Sequence, residues 1–157
     1  MKPKSLPAIL LFFSCVAFFQ AQSAAAELPV AEEIEALLAA NAVTYAQAAR
    51  FLLEASDAFA KYDSQEAFRY AQEQKWLPKK AGADDKARLD EISLLAMRSF
   101  EMKGGVMYSI TKNKHYSYRE LAAKKIIQGR TSPSMKITGR QLLYITERML
   151  SSADTEN

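Results

Sequence analysis

Cysteine occurs once in the 157 residues, at Cys15, and histidine once, at His115. A lone cysteine excludes an internal disulfide, and with a lone histidine it excludes the cysteine- and histidine-rich ligand sets of structural zinc. A metal would need carboxylates gathered around His115, and a turn or packing role is the simpler reading of that residue; no cofactor is implied. Glycine is also scarce, at five. Gly104-Gly105 lacks the further glycines and the lysine of a phosphate loop and reads as a helix stop. No nucleophile-elbow pattern surrounds a serine, so a histidine-dependent triad cannot be assembled. The paired acids Asp84-Asp85 and Asp90-Glu91 lie near helix starts and read as solvated capping residues rather than an acid-base pair. The expectation is a protein that is not an enzyme.

Long apolar runs and a surplus of one charge are missing too. The apolar stretch Leu6 to Phe19 is shorter than the ~20 residues that span a bilayer. It follows Lys2 and Lys4 and precedes the small residues of Ala21 to Ala26, which is the pattern of a signal peptide over 1–26, cut after Ala26. The chain is therefore expected to be exported to the periplasm or cell surface, and not to be transmembrane after cleavage. A cut just before Cys15 would let that residue carry lipid, but Phe12-Phe13-Ser14 departs from a lipoprotein box and Val16 to Phe19 is still apolar. Beyond the signal, 19 basic residues face 18 acidic ones, because Lys2 and Lys4 take two of the 21 and no acid precedes Glu27. That balance leaves nucleic-acid binding without an electrostatic footprint. The remaining length suits a single domain, 27–152, with a polar, disordered tail over 153–157.

What the chain does contain is helical periodicity marked by caps. Acids at Glu32, Glu33 and Glu35 open a helix over Ala31 to Ala40 that carries Ile34, Leu37 and Leu38 on one face. Thr44 with Gln47 forms a capping box ahead of Ala48, Phe51, Leu52 and Ala55. Asp63 with Glu66 starts a helix bearing Phe68, Ala71 and Trp76 that must end before Pro78. Leu89 to Met102 is the most apolar helix. Ser117 with Glu120 and Thr138 with Gln141 cap two more, the first stopped at Gly129 and the second carrying Leu142, Ile145, Met149 and Leu150. Between them, the β-prone Val106 to Ile110 and turn-like Lys112-Asn113 predict a short hairpin near 106–116.

A shift of 50 residues lays Ala67 to Phe100 on Ser117 to Leu150 without a gap, pairing Trp76 with Ile126, Leu95 with Ile145 and Arg98 with Arg148. A shift of 94 places Val43-Thr44 and Gln47 on Ile137-Thr138 and Gln141. A fixed period signals repeated supersecondary units that cannot bury their apolar faces alone. The fold class expected is all-α: three helix-loop-helix units, about 29–57, 63–102 and 115–152, packed as a six-helix bundle.

The best-preserved unit contains Lys114-His115-Tyr116-Ser117-Tyr118, then Leu121, Ala122 and Ile126-Ile127-Gln128-Gly129. Ser132-Pro133 and Ile137-Thr138-Gly139-Arg140-Gln141 follow. This pattern resembles an S-layer homology motif, with a partial copy over Asp63 to Phe100 and a faint one over Ala31 to Ala55. The resemblance implies a helical spindle of three motifs that tethers an exported protein to a cell-wall polymer. It differs from the family's signature at Gly139, which intervenes where arginine should follow threonine directly. Aromatic rings near Arg and Lys suit sugars bearing acidic groups, and Trp76, Tyr108, Tyr118, Lys124 and Lys125 belong to that set. The ligand-binding candidates are Tyr116, Arg119, Arg130, Thr138 and Arg140, and the expected partner is an anionic cell-wall glycan or peptidoglycan-associated polymer. The alternative is a helical protein-interaction adaptor in an envelope assembly, docking through an apolar face near Met97, Met102 and Met107.

Overall fold

The computed structural model describes residues 30–58 and 63–156. The expected signal peptide, its cleavage site and Cys15 lie outside the described residues. Seven helices account for the regular structure within them: α1 (Val30–Ala39), α2 (Tyr45–Ala55), α3 (Ser64–Glu73), α4 (Leu89–Ser99), α5 (Val106–Thr111), α6 (Lys114–Ala123) and α7 (Gly139–Glu156). The protein is all-α in the described residues, joined only by isolated bridges between Thr44 and Lys86 and between Arg88 and Lys136.

Local chemistry sets most of the helix starts. Thr44 and Gln47 close a reciprocal capping box on α2, and Thr138 and Gln141 do the same for α7, with Gln141 N–H donating to Thr138 Oγ1 at 3.2 Å and Thr138 N–H to Gln141 Oε1 at 3.0 Å. Asp63 caps α3 through the amides of Gln65 and Glu66. Helices α3 and α6 end in the same turn. Lys75 and Lys125 adopt φ of 60° and 59°, and the amides of Trp76 and Ile126 reach back to Ala71 and Leu121, each at 2.9 Å. Trp76 thus lies in the turn beyond α3 rather than on it.

The core forms where the segments before α2, α4 and α7 converge. Val43 N–H donates to Ile137 C=O (3.0 Å), Ile137 N–H to Ala87 C=O (3.1 Å), and Ala87 N–H to Val43 C=O (2.9 Å), closing a ring of three bonds. All three residues are fully buried, so the ring satisfies backbone groups that water cannot reach. The free amides at the helix starts are met from the loops as well. Tyr45 and Ala46 donate to Asp85 and Ala83, Leu89 and Asp90 to Met135 and Pro133, and Gly139 to Ala40. Helix α3 packs on α2, α6 on α4, and α1 on α7. Helix α4 is the most enclosed, with Leu89, Ile92, Leu95, Ala96 and Met97 all buried.

Several expectations are corrected. No hairpin forms near 106–116: Val106–Thr111 is helical, opened by Gly105 and closed by Lys112 in the left-handed region (φ 44°). A two-stranded ribbon there would have no sheet to join, whereas the helix satisfies its own backbone, and the hydroxyls of Ser109 and Thr111 bond back to Gly104 and Met107. Helix α6 starts a turn earlier than Ser117 because Asn113 caps it, accepting from Tyr116 N–H at 3.1 Å. Ser117 is buried inside the helix and donates to Asn113 C=O. Among residues 31–39 of α1, Leu37 alone is buried, while Ile34 and Leu38 are exposed. Helix α7 continues through Glu156 into the stretch expected to be a disordered tail.

Candidate functional site

The first turn of α4 holds a charged cluster. Asp90 and Glu91 are 5% and 7% exposed, which overturns their reading as solvated caps. Arg88 grips Asp90 in a bidentate pair, Nε to Oδ1 at 3.1 Å and Nη2 to Oδ2 at 3.0 Å. Lys114 Nζ reaches Glu91 Oε1 at 2.9 Å and Asp90 Oδ2 at 3.6 Å. Where α2 and α7 use a glutamine to accept the N-cap amide, here the Tyr45 phenol intervenes. Arg88 N–H donates to Tyr45 Oη at 3.4 Å, and the phenol donates to Glu91. The cluster is a capping box enlarged by one side chain, and it ties together α2, α4 and α6.

Burial, reinforced by the bond to Glu91, pushes the Tyr45 phenol well above its ordinary value. The Asp90 carboxylate raises the Arg88 guanidinium. A folded value raised above the unfolded one stabilises fully below the unfolded pKa of about 10 and is lost as pH rises above it. Tyr45→Phe is therefore expected to be less stable than wild type by about 1 kcal/mol at pH 8, the worth of one hydrogen bond. By pH 11 that gap should narrow by a comparable amount, which urea midpoints at the two pH values would measure. Every buried side-chain nitrogen and oxygen among the described residues has a partner. The cluster is thus a clasp in which each charged group is paired.

A more open site runs along α7. The turn after α6, residues 126–131, faces Gln141, Tyr144, Ile145 and Arg148 across a groove of about 510 Å³. It adjoins a second hollow of about 500 Å³ lined by Lys124, Lys125, Ser151 and Ser152, and the two share Ile126, Gln128 and Arg148. Ile126, Ile127 and Ile145 form a buried floor, while the Tyr144 ring stands 53% exposed at the edge. Arg148 Nη1 donates to Lys125 C=O at 2.7 Å and Gln128 Nε2 to the same carbonyl at 3.1 Å, which fixes both side chains against the turn. Gly129, at φ +86°, lets the chain double back beneath them. Tyr118 holds the far end, its phenol bonded to Thr131 C=O at 3.1 Å. The joint lining carries three cations and no carboxylate.

The five sequence candidates do not gather in this groove. Tyr116 is half-buried on α6 with its ring edge-on to His115 at 5.2 Å. Arg119, Arg130 and Arg140 are exposed, and Thr138 is occupied as the α7 cap. Arg130 sits between two lining residues of the groove, Gly129 and Thr131, and Arg140 immediately precedes a third, Gln141. Lys124 and Lys125, from the wider basic and aromatic set, line the adjoining hollow. Tyr144, Gln128 and Arg148 were missed as ligand residues. The available signal was the pairing of Arg98 with Arg148 at a shift of 50, which marks a basic position recurring one turn past each apolar anchor.

The described residues form an all-α fold with a closed charged clasp and an open basic groove along α7. No family model matches the chain, and no curated protein and no solved structure matches it.

Proposed function

We propose that the chain is an exported, non-catalytic module of three S-layer-homology-like units that binds an anionic glycan of the cell envelope. The three-unit reading is supported by the closed hydrogen-bond ring of Val43, Ala87 and Ile137 and by the matching turns at Lys75 and Lys125. It is supported too by the rotation of packing partners, in which the first helix of each unit lies on the second helix of another: α1 on α7, α3 on α2 and α6 on α4. In this reading α5 is an addition to the six-helix bundle.

The observation that carries the function is the α7 groove, where an exposed tyrosine ring shares the lining with Arg148 and the adjoining hollow adds Lys124 and Lys125, with no acid in either lining. Sugar rings stack their apolar faces on aromatics, and guanidinium groups fork onto carboxylate or phosphate substituents. Gln128 Oε1 and Gln141 Nε2, the amide atoms not used in the turn and the α7 cap, can orient hydroxyls, the mixture expected of a ligand groove. The test is retention of residues 27–157 on purified cell-wall sacculi. Retention at low salt, weakened at high salt, is expected, and Arg148→Ala combined with Tyr144→Ala should reduce it by about tenfold or more, the effect of losing one charge-assisted contact and one stacking surface. Equal retention of wild type and variant would remove the groove from the account.

A further inference from the structure

A hollow of about 540 Å³ lies where the turn after α3 and the end of α4 meet α5, within the ~300–1,000 Å³ range of small-molecule sites. At a shift of 50, its Trp76, Arg98, Glu101 and Met102 stand where Ile126, Arg148, Ser151 and Ser152 stand in the hollow beside the α7 groove. What differs is the wall. Helix α5 adds the buried Tyr108 ring, and the buried Met97 and Met102 take the place of polar side chains in the lining.

These walls are held from behind. The Trp76 ring meets the Tyr70 ring edge-on at 5.7 Å, an arrangement that aromatic pairs favour. Gly104 admits Tyr108: a Cβ there would lie 2.4 Å from the Tyr108 ring. The Arg98 guanidinium faces the Tyr108 phenol, and its charge opposes the rise that burial gives that group. Arg50 and Arg88 are each bonded to a carboxylate, whereas Arg98 forms no ion pair among the described residues. Lys103 and Lys112 also border the hollow, offset by Glu101 in the lining and Glu120 near Gly105. Arg98, half-buried against the apolar wall, is then the cation left to meet a ligand.

Such a lining suits one anionic group on an apolar body. A guanidinium forks onto a carboxylate, and aromatic rings and thioethers pack against a flat ring. A polyhydroxylated body would leave hydroxyls against sulfur and ring carbon without partners, which is costly. We propose that this hollow binds a small aromatic monocarboxylate, its carboxylate on Arg98 and its ring against Trp76, Tyr108 and the two methionines. The site shares no lining residue with the α7 groove or the hollow beside it, so it stands or falls independently of the glycan reading.

Trp76 is the only tryptophan of the chain, and its emission therefore reports on this hollow. Benzoate titrated into the full chain should change that emission saturably, while benzyl alcohol, the same ring without the charge, should not at the same concentrations. Arg98→Met keeps an apolar stem and removes the guanidinium. It should raise the benzoate concentration at half-saturation by about tenfold or more, the effect of one charge-assisted contact. Ser109→Glu, at an exposed position of the lining, leaves the core untouched and should weaken benzoate in the same direction. Lys80→Met, exposed and outside the lining, is the charge-matched control and should titrate as wild type. Equal responses to benzyl alcohol and benzoate, or an unchanged benzoate titration in both Arg98→Met and Ser109→Glu, would overturn the carboxylate contact. Saturation by inorganic phosphate at the same concentrations as benzoate would reduce the hollow to a bare anion site and overturn the ring contacts. Emission that falls linearly without saturating would overturn the site itself.

Discussion

Replacing Gly139 with arginine, the residue that the S-layer homology pattern carries directly after its threonine, is expected to destabilise the protein by about 3 kcal/mol or more and lower its melting temperature by roughly 10 °C. The cause is the close approach of α1. A Cβ at position 139 would lie 1.6 Å from Leu37 O and 2.5 Å from Leu37 C, both backbone atoms that no rotamer change can move. Relief requires the end of α1 to retreat. That retreat breaks the 3.0 Å bond from Gly139 N–H to Ala40 C=O and strains the neighbouring bond from Val43 to Ile137. Overpacking of this kind costs about 1–3 kcal/mol, and a buried backbone group left unpaired costs a similar amount. Because the clash is at Cβ, Gly139→Ala should show nearly the whole effect in a thermal melt. Gly129→Ala is the contrasting control: its φ is +86°, but nothing lies within 4 Å of the added Cβ. Only the cost of left-handed backbone applies there, about 1 kcal/mol. Equal melts for the two variants would contradict the packing of α1 on α7.

Leu95→Asp is expected to abolish the cooperative transition altogether. Leu95 is fully buried on α4, the helix enclosed by α2 and α6. Removing the side chain forfeits about 1.5–3 kcal/mol of apolar burial, and the aspartate finds no cation within that core. An unpaired buried carboxylate adds several kcal/mol more. The combined loss approaches the about 5–15 kcal/mol by which domains are stable at all. Circular dichroism should show a sloping melt without a midpoint. Leu94→Asp, at a half-buried position one residue away, should keep a sharp transition, and the difference between neighbours tests the helical register of α4.

These two residues mark how far the sequence could be read. Leu95 was legible because helical periodicity is local, and so were the Thr44–Gln47 and Thr138–Gln141 caps, whose partners are three residues apart. Gly139 was visible only as a departure from a pattern, because the reason for it, the Leu37 carbonyl, comes from the far end of the chain. The same holds for Asp90 and Glu91. Their charges are normal for a first helical turn, and nothing nearby in sequence announces that Tyr45 and Lys114, 46 and 23 residues from Glu91, fold over them. At α5 the β-branched residues pointed to strands, but a strand needs a partner and the helix does not. The candidate ligand residues were picked from the helix, the loop and the second cap of the third unit: Tyr116 and Arg119, Arg130, and Thr138 with Arg140. The groove lies beside them, because a groove is made by two segments facing each other, here the turn after α6 and the outer face of α7.

The most direct measurement is residue-level mapping of amide and side-chain NMR shifts as soluble, acid-bearing cell-wall fragments are titrated into residues 27–157. Binding along α7 predicts saturable shifts centred on Gln128, Tyr144 and Arg148, fading in salt and absent from Val106 and Ile110. Shifts confined to Tyr116 and Arg119, or none at all with the folded protein, would contradict it.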